Sequence, residues 1–121
     1  MLNTPIQSEL FMNSLKSGAE DLGNGIRRTL LGYDDKILMA KVRFEKGAVG
    51  DVHAHHHSQV SYVVEGTFEV EVDGRKSVLG PGGCFFVPSH APHGAVCLEA
   101  GVLLDVFSPA REDFLSPERS V

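Results

Sequence analysis

The stretch TFEVEVDGRKSVL, residues 67–79, constrains the fold most. Phe68, Val70 and Val72 alternate with Glu69, Glu71 and Asp73, so an extended chain here has one apolar and one charged face. Asp73-Gly74 is a favoured two-residue hairpin turn, since both residue types tolerate positive φ. Such a hairpin must bury its apolar face against another layer. The rest of the chain offers that layer. IRRTLLG (26–32), KILMAKVRF (36–44), VSYVV (60–64), CFFVP (84–88) and GVLLDVF (101–107) read as further short strands. In KILMAKVRF, Leu38, Ala40, Val42 and Phe44 share one face, and Met39, Lys41 and Arg43 the other. Turn signals fall at 32–35, 46–47, 66, 73–74, 80–83, 88–93 and 100–101. No long segment repeats with a 3.6-residue period. The expectation is an all-β protein, an antiparallel sandwich or barrel. Only PAREDFLSPE, residues 109–118, suits a helical turn.

A chain of 121 residues suits one domain with a modest core, and a second copy would help to cover its surface. Residues 1–25 read as a lead-in ending in the turn chemistry of DLGNG, residues 26–115 as the β-barrel, and residues 116–121 as a tail. The net charge of −5 argues against nucleic acid and anionic membrane surfaces. The longest apolar runs, such as 102–104, fall far short of the ~18 residues of a membrane span. The start, MLNTPIQSEL, has neither a basic n-region nor an apolar h-region, which points to the cytoplasm. In that setting Cys84 and Cys97 read as free, buried thiols.

Four of the six histidines lie in HAHHHSQ, residues 53–59, and the other two, His90 and His93, in PSHAPHG. His53 and His55 are two apart, so in a strand they point the same way, and Gln59 shares their parity. An antiparallel barrel can bring the second cluster beside them. Three imidazoles and an amide oxygen would suit a divalent transition metal with open positions for water or substrate. By residue pattern alone His57, of the same parity, remains an alternative ligand, His56 points outward, and His90 sits at the surface or the pocket border.

The spacing Gly47-x5-His53-x-His55-x3-Gln59-x6-Gly66 resembles the first cupin motif, with glutamine where the family usually has glutamate. Gly82-x5-Pro88-x4-His93 resembles most of the second, with Cys97 in place of the usual asparagine. The resemblance implies a small antiparallel jelly-roll β-barrel. It puts one divalent transition metal (Ni, Zn, Fe, Co or Mn) on His53, His55, Gln59 and His93. A glutamine ligand keeps the set neutral, which favours an anionic substrate or a developing oxyanion and disfavours a ferric state.

The stretch LLDVFSPAREDFL, residues 103–115, narrows the resemblance. With HAHHHSQVSYVVEG and PGGCFFVPSHAPHG it is similar to the KdgF-type pectin-degradation cupins. These convert 4,5-unsaturated uronates to linear 5-keto-4-deoxyuronates by ring opening and ketonisation. That family's functional positions fall on Asp105, Phe107 and Arg111. Asp105 and Phe107 share a strand face, so Asp105 can move protons while Phe107 packs on a sugar ring. Arg111 can clamp a substrate carboxylate. The competing view makes Asp105 and Arg111 a structural ion pair with Phe107 in the core. The alternatives for function are an Fe(II)-dependent small-molecule dioxygenase and a non-catalytic carboxylate- or sugar-binding cupin. The expected partners are a small anionic substrate, a sugar acid, and a second copy of the chain. Val60, Tyr62 and Val64, opposite Gln59, supply an apolar outer face for a homodimer.

Overall fold

The computed structural model describes residues 6–115. The expected tail, 116–121, lies outside the described residues, as do residues 1–5 of the lead-in. The strands are β1 (Glu20–Gly23), β2 (Ile26–Tyr33), β3 (Leu38–Phe44), β4 (Val49–His53), β5 (Ser58–Val72), β6 (Arg75–Leu79), β7 (Cys84–Val87) and β8 (His93–Ser108). One helical turn, α1 (Glu112–Leu115), follows within the segment where sequence allowed one. The strand pairings are antiparallel.

The hairpin of residues 67–79 forms as its pattern requires. Val72 pairs with Arg75, and Asp73 and Gly74 turn the chain with φ of 51° and 80°. Phe68 and Val70 are buried, as are Leu38, Ala40, Val42 and Phe44 on the inner face of β3. Phe44 and Phe68 meet edge to face at 5.2 Å, a contact that adds to the ~2 kcal/mol typical of burying each such side chain.

Two long strands organise the jelly roll. β5 and β8, 15 and 16 residues long, pair with each other and contribute to both layers. One layer runs β1-β2-β3-β8-β5-β7, and the other β4-β8-β5-β6. Among the described residues the hydrogen-bonded sheet is not closed into a complete barrel. The turn signals at Gly66 and at 100–101 are bends inside strands and not strand ends. The register shifts between Val63 and Phe68, where the paired strands fold over. Gly66 has φ +82°, and a Cβ there would lie 2.5 Å from the Ala100 carbonyl, so the backbones meet too closely for a side chain. GVLLDVF is therefore the second half of a strand that begins at His93.

Three further points differ from the sequence pattern. Part of the lead-in, Glu20–Gly23, is itself a strand paired with β2. β4 ends at His53, so His55 is held by a loop and not by strand parity. Both cysteines are free, but only Cys97 is buried. Cys84 sits on the outer face of β7, in register with exposed Tyr62.

Candidate metal and substrate site

His53 closes β4 and His93 opens β8, and the two are register partners. His55 is fixed by its backbone, whose carbonyl accepts from His90 N–H at 2.7 Å. The ring centroids of His53 and His55 lie 4.3 and 4.7 Å from that of His93. One ring nitrogen from each of the three lies within 4.8 Å of the others.

The backbone sets the tautomer of each ring. Nδ1 of His53 donates to the Asp51 carbonyl at 2.9 Å, Nδ1 of His93 to Ala91 at 2.9 Å, and Nδ1 of His55 to His57 at 3.1 Å. Each Nε2 is then a bare acceptor. Nε2 of His93 is buried with no hydrogen-bond partner among the described residues. Burial, with Arg111 and His93 nearby, pushes His55 down to about 4, and burial lowers His93 too. His55 and His93 are thus neutral near pH 7, the form that ligates metals.

Gln59 lies on the inner face of β5, buried at 6% exposure. Its Nε2 donates to Ser61 Oγ at 2.9 Å, and Ser61 Oγ donates to Asp105 Oδ1 at 2.6 Å. This chain fixes the amide orientation, because ionised Asp105 takes the serine proton and leaves serine to accept from Gln59. Oε1 therefore faces His55 Nε2 at 3.1 Å. Two acceptors at that distance repel each other unless a proton or a metal ion lies between or beside them. Together with the orphaned Nε2 of His93, this is a donor set that fits a divalent transition metal.

Asp105 lies opposite Ser61 on β8. Burial pushes its carboxyl up to about 6, although the Ser61 donor and the charges of Arg111 and Arg28 pull the other way. Phe107 is buried, and its ring meets His55 at 5.8 Å and Phe114 at 5.5 Å. Arg111 does not pair with Asp105. Its Nε and Nη2 donate to Asp113 at 3.0 and 2.7 Å, and its guanidinium lies over Phe114 and Phe107 at 4.2 and 5.1 Å. The structural ion pair weighed above is thus replaced by a separate partner for each residue.

His53, Gln59, His93, Asp105, Phe107 and Arg111 line one cavity of about 260 Å³. Arg28, Leu22, Phe85 and Phe114 also line it and were missed from sequence, as was Ser61 behind it. Parity offered a signal for two of them. Arg28 shares its strand face with Ile26 and Leu30 on β2, and Ser61 with Gln59 and Val63 on β5. A charged or polar residue on an inward face is the anomaly to notice.

Of the remaining histidines, His57 stands close to the three, its ring centroid 5.2 Å from that of His55. His56 is exposed, and His90 is exposed with φ 68°. His57 is buried, and its Nε2 contacts Glu112 at 3.1 Å.

The chain matches the Cupin domain family over residues 40–107. It is 45% identical to the pectin degradation protein KdgF of Dickeya dadantii (strain 3937) over 98 residues, which is 79% of this chain and 89% of that protein. Its structure is similar to an RmlC-like cupin from Shewanella frigidimarina NCIMB 400, with TM-score 0.88, 56% identity, and 89% and 97% of the two chains covered. It is also similar to KdgF from Halomonas sp., with TM-score 0.84, 39% identity, and 88% and 99% covered.

Proposed function

The chain belongs to the cupin family, beside the pectin degradation protein KdgF, and from that premise we propose that it ketonises 4,5-unsaturated uronates, opening the ring to the linear 5-keto-4-deoxyuronate. One observation carries the reading: a raised carboxyl, Asp105, is wired through Ser61 to Gln59 beside three converging imidazoles, in a cavity with an arginine on its wall.

His53, His55, Gln59 and His93 would hold one divalent transition metal. When bound, it supplies Lewis-acid stabilisation of negative charge on a substrate oxygen. The neutral donor set leaves that charge undiminished for an anionic sugar. Asp105 takes the proton of the anomeric hydroxyl, with a basicity matched to that task near neutral pH. As C1=O forms, the bond from C1 to the ring oxygen breaks, and that oxygen leaves as the C4=C5 enolate. The enolate takes a proton at C4 and becomes the 5-ketone. The product is an isomer of the substrate, so the balance needs neither oxidant nor reductant. Arg111, braced by Asp113 and by two aromatic rings, holds the carboxylate side of the sugar. Phe107 offers its ring as an apolar wall.

The active form we propose is a cytoplasmic homodimer. Val60, Tyr62, Val64 and Phe86 are 41–56% exposed on one outer face of β5 and β7. A patch of this kind suits a second copy.

The test is the reaction in D2O without oxygen, followed by NMR. The reading requires loss of the vinylic signal and one deuterium at C4 of the product. An unchanged vinylic signal with metal-loaded protein contradicts it.

A further inference from the structure

Arg28 is not among the residues that the resemblance implies, yet it lines the cavity from β2. Its side chain is 15% exposed. Its guanidinium lies 3.7 Å over the Phe114 ring, the same ring on which Arg111 rests. The two arginines are held very differently by their carboxylate partners. Arg111 grips both oxygens of Asp113, at 3.0 and 2.7 Å. Arg28 reaches Glu20 through Oε1 alone, with Nε at 3.3 Å and Nη2 at 3.2 Å. These are long beside the ~2.7–2.9 Å of a strong charge-assisted bond. Glu20 is 48% exposed on β1, the edge strand of its layer. A guanidinium has five N–H donors. The fork of Arg28 is therefore stacked, sheltered and only loosely occupied, whereas that of Arg111 is tightly engaged.

We propose that Arg28 is the residue that selects carboxylates in this cavity, and that Glu20 is an internal carboxylate that yields its place on Arg28 to the incoming sugar acid. Stacking on Phe114 orients the fork before the ligand arrives, and Glu20 swings into solvent when displaced. Arg111 then completes a two-armed clamp through the shared ring. This deepens the reading of the pocket as a sugar-acid site, because it names the group that tells an acid from a neutral sugar.

The test is calorimetric binding of galacturonate, with galactose as the neutral control, to metal-loaded wild type, Arg28→Ala, Arg28→Lys and Glu20→Gln. Arg28→Ala is expected to weaken galacturonate tenfold or more. Arg28→Lys, which loses the fork, is expected to weaken it at least threefold. Glu20→Gln is expected to tighten it at least twofold, and galactose should bind weakly and equally to all four. The proposal is overturned if Arg28→Ala and Arg28→Lys bind within twofold of wild type. It is also overturned if Glu20→Gln weakens binding, since the pair would then be a structural latch, or if wild type does not prefer galacturonate. These outcomes are independent of turnover: a protein that binds galacturonate through Arg28 but leaves unsaturated uronates unchanged would refute the proposed reaction and not this site.

Discussion

Ser61 and Asp105 face each other across β5 and β8, and Ser61 Oγ donates to Asp105 Oδ1 at 2.6 Å. The same hydroxyl accepts from Gln59 Nε2 at 2.9 Å. One buried serine thus sets both the direction of the Gln59 oxygen and the basicity of the carboxylate. The imidazole-bearing and carboxylate-bearing halves of the cavity are joined at this point.

Asp105→Asn is expected to keep one equivalent of metal and lose turnover on unsaturated galacturonate by about 100-fold or more, the usual scale for a positioned base. In wild type the base works deprotonated, so the rate should rise with pH through about 6. Full turnover in the variant, with metal content equal to wild type, would remove Asp105 from the proton transfer.

The raised carboxyl also has a signature in stability. The folded protein holds the Asp105 proton more tightly than the unfolded chain does. Relative to Asp105→Asn, the metal-free protein should therefore lose stability as pH rises from the ordinary carboxylate range to about 6, and then level off; the lowered His55 and His93, common to both proteins, contribute the opposite slope and cancel in that difference. The total change in that difference should be on the order of 3 kcal/mol. Denaturant melts at several pH values check the sign.

Ser61→Ala removes the donor that holds Asp105 down and leaves the Gln59 amide N–H unpaired. A loss of about 1–3 kcal/mol in stability is expected. The rise of rate with pH should move to higher pH, because Asp105 becomes harder to ionise. An unmoved profile would show that Ser61 does not tune the base.

Tyr62→Glu together with Phe86→Glu places charges on the exposed face of β5 and β7. Light scattering should show a dimer for wild type and a monomer for this variant. A wild-type monomer at all concentrations would contradict the proposed pairing.

Much of this layout is legible in the sequence where one local rule acts alone. The 67–79 hairpin follows from alternation plus Asp73-Gly74, and the outer face of β5 from the parity of Val60, Tyr62 and Val64. Legibility fails where two distant segments decide the outcome. Gly66 and Gly101 look like turns because glycine marks both turns and close backbone crossings, and only the pairing of β5 with β8 tells them apart. His55 reaches the other rings from a loop, through the His90 N–H, although strand parity suggested the same grouping. The partner of Arg28 was hidden because the segment that carries Glu20 reads as a lead-in, whereas it adds an edge strand beside β2. Buried His57 meets Glu112, 55 positions away, a pairing that no local pattern reveals.

The central claim is that these donors hold a metal on which ring opening depends. The most direct measurement is initial rate on unsaturated galacturonate against equivalents of divalent metal returned to chelated protein, without oxygen, for wild type and His93→Ala. The account predicts that wild-type rate climbs linearly and saturates at one equivalent per chain, while His93→Ala retains neither metal nor rate. Full rate in the chelated protein, or a rate that appears only when oxygen is admitted, would contradict it.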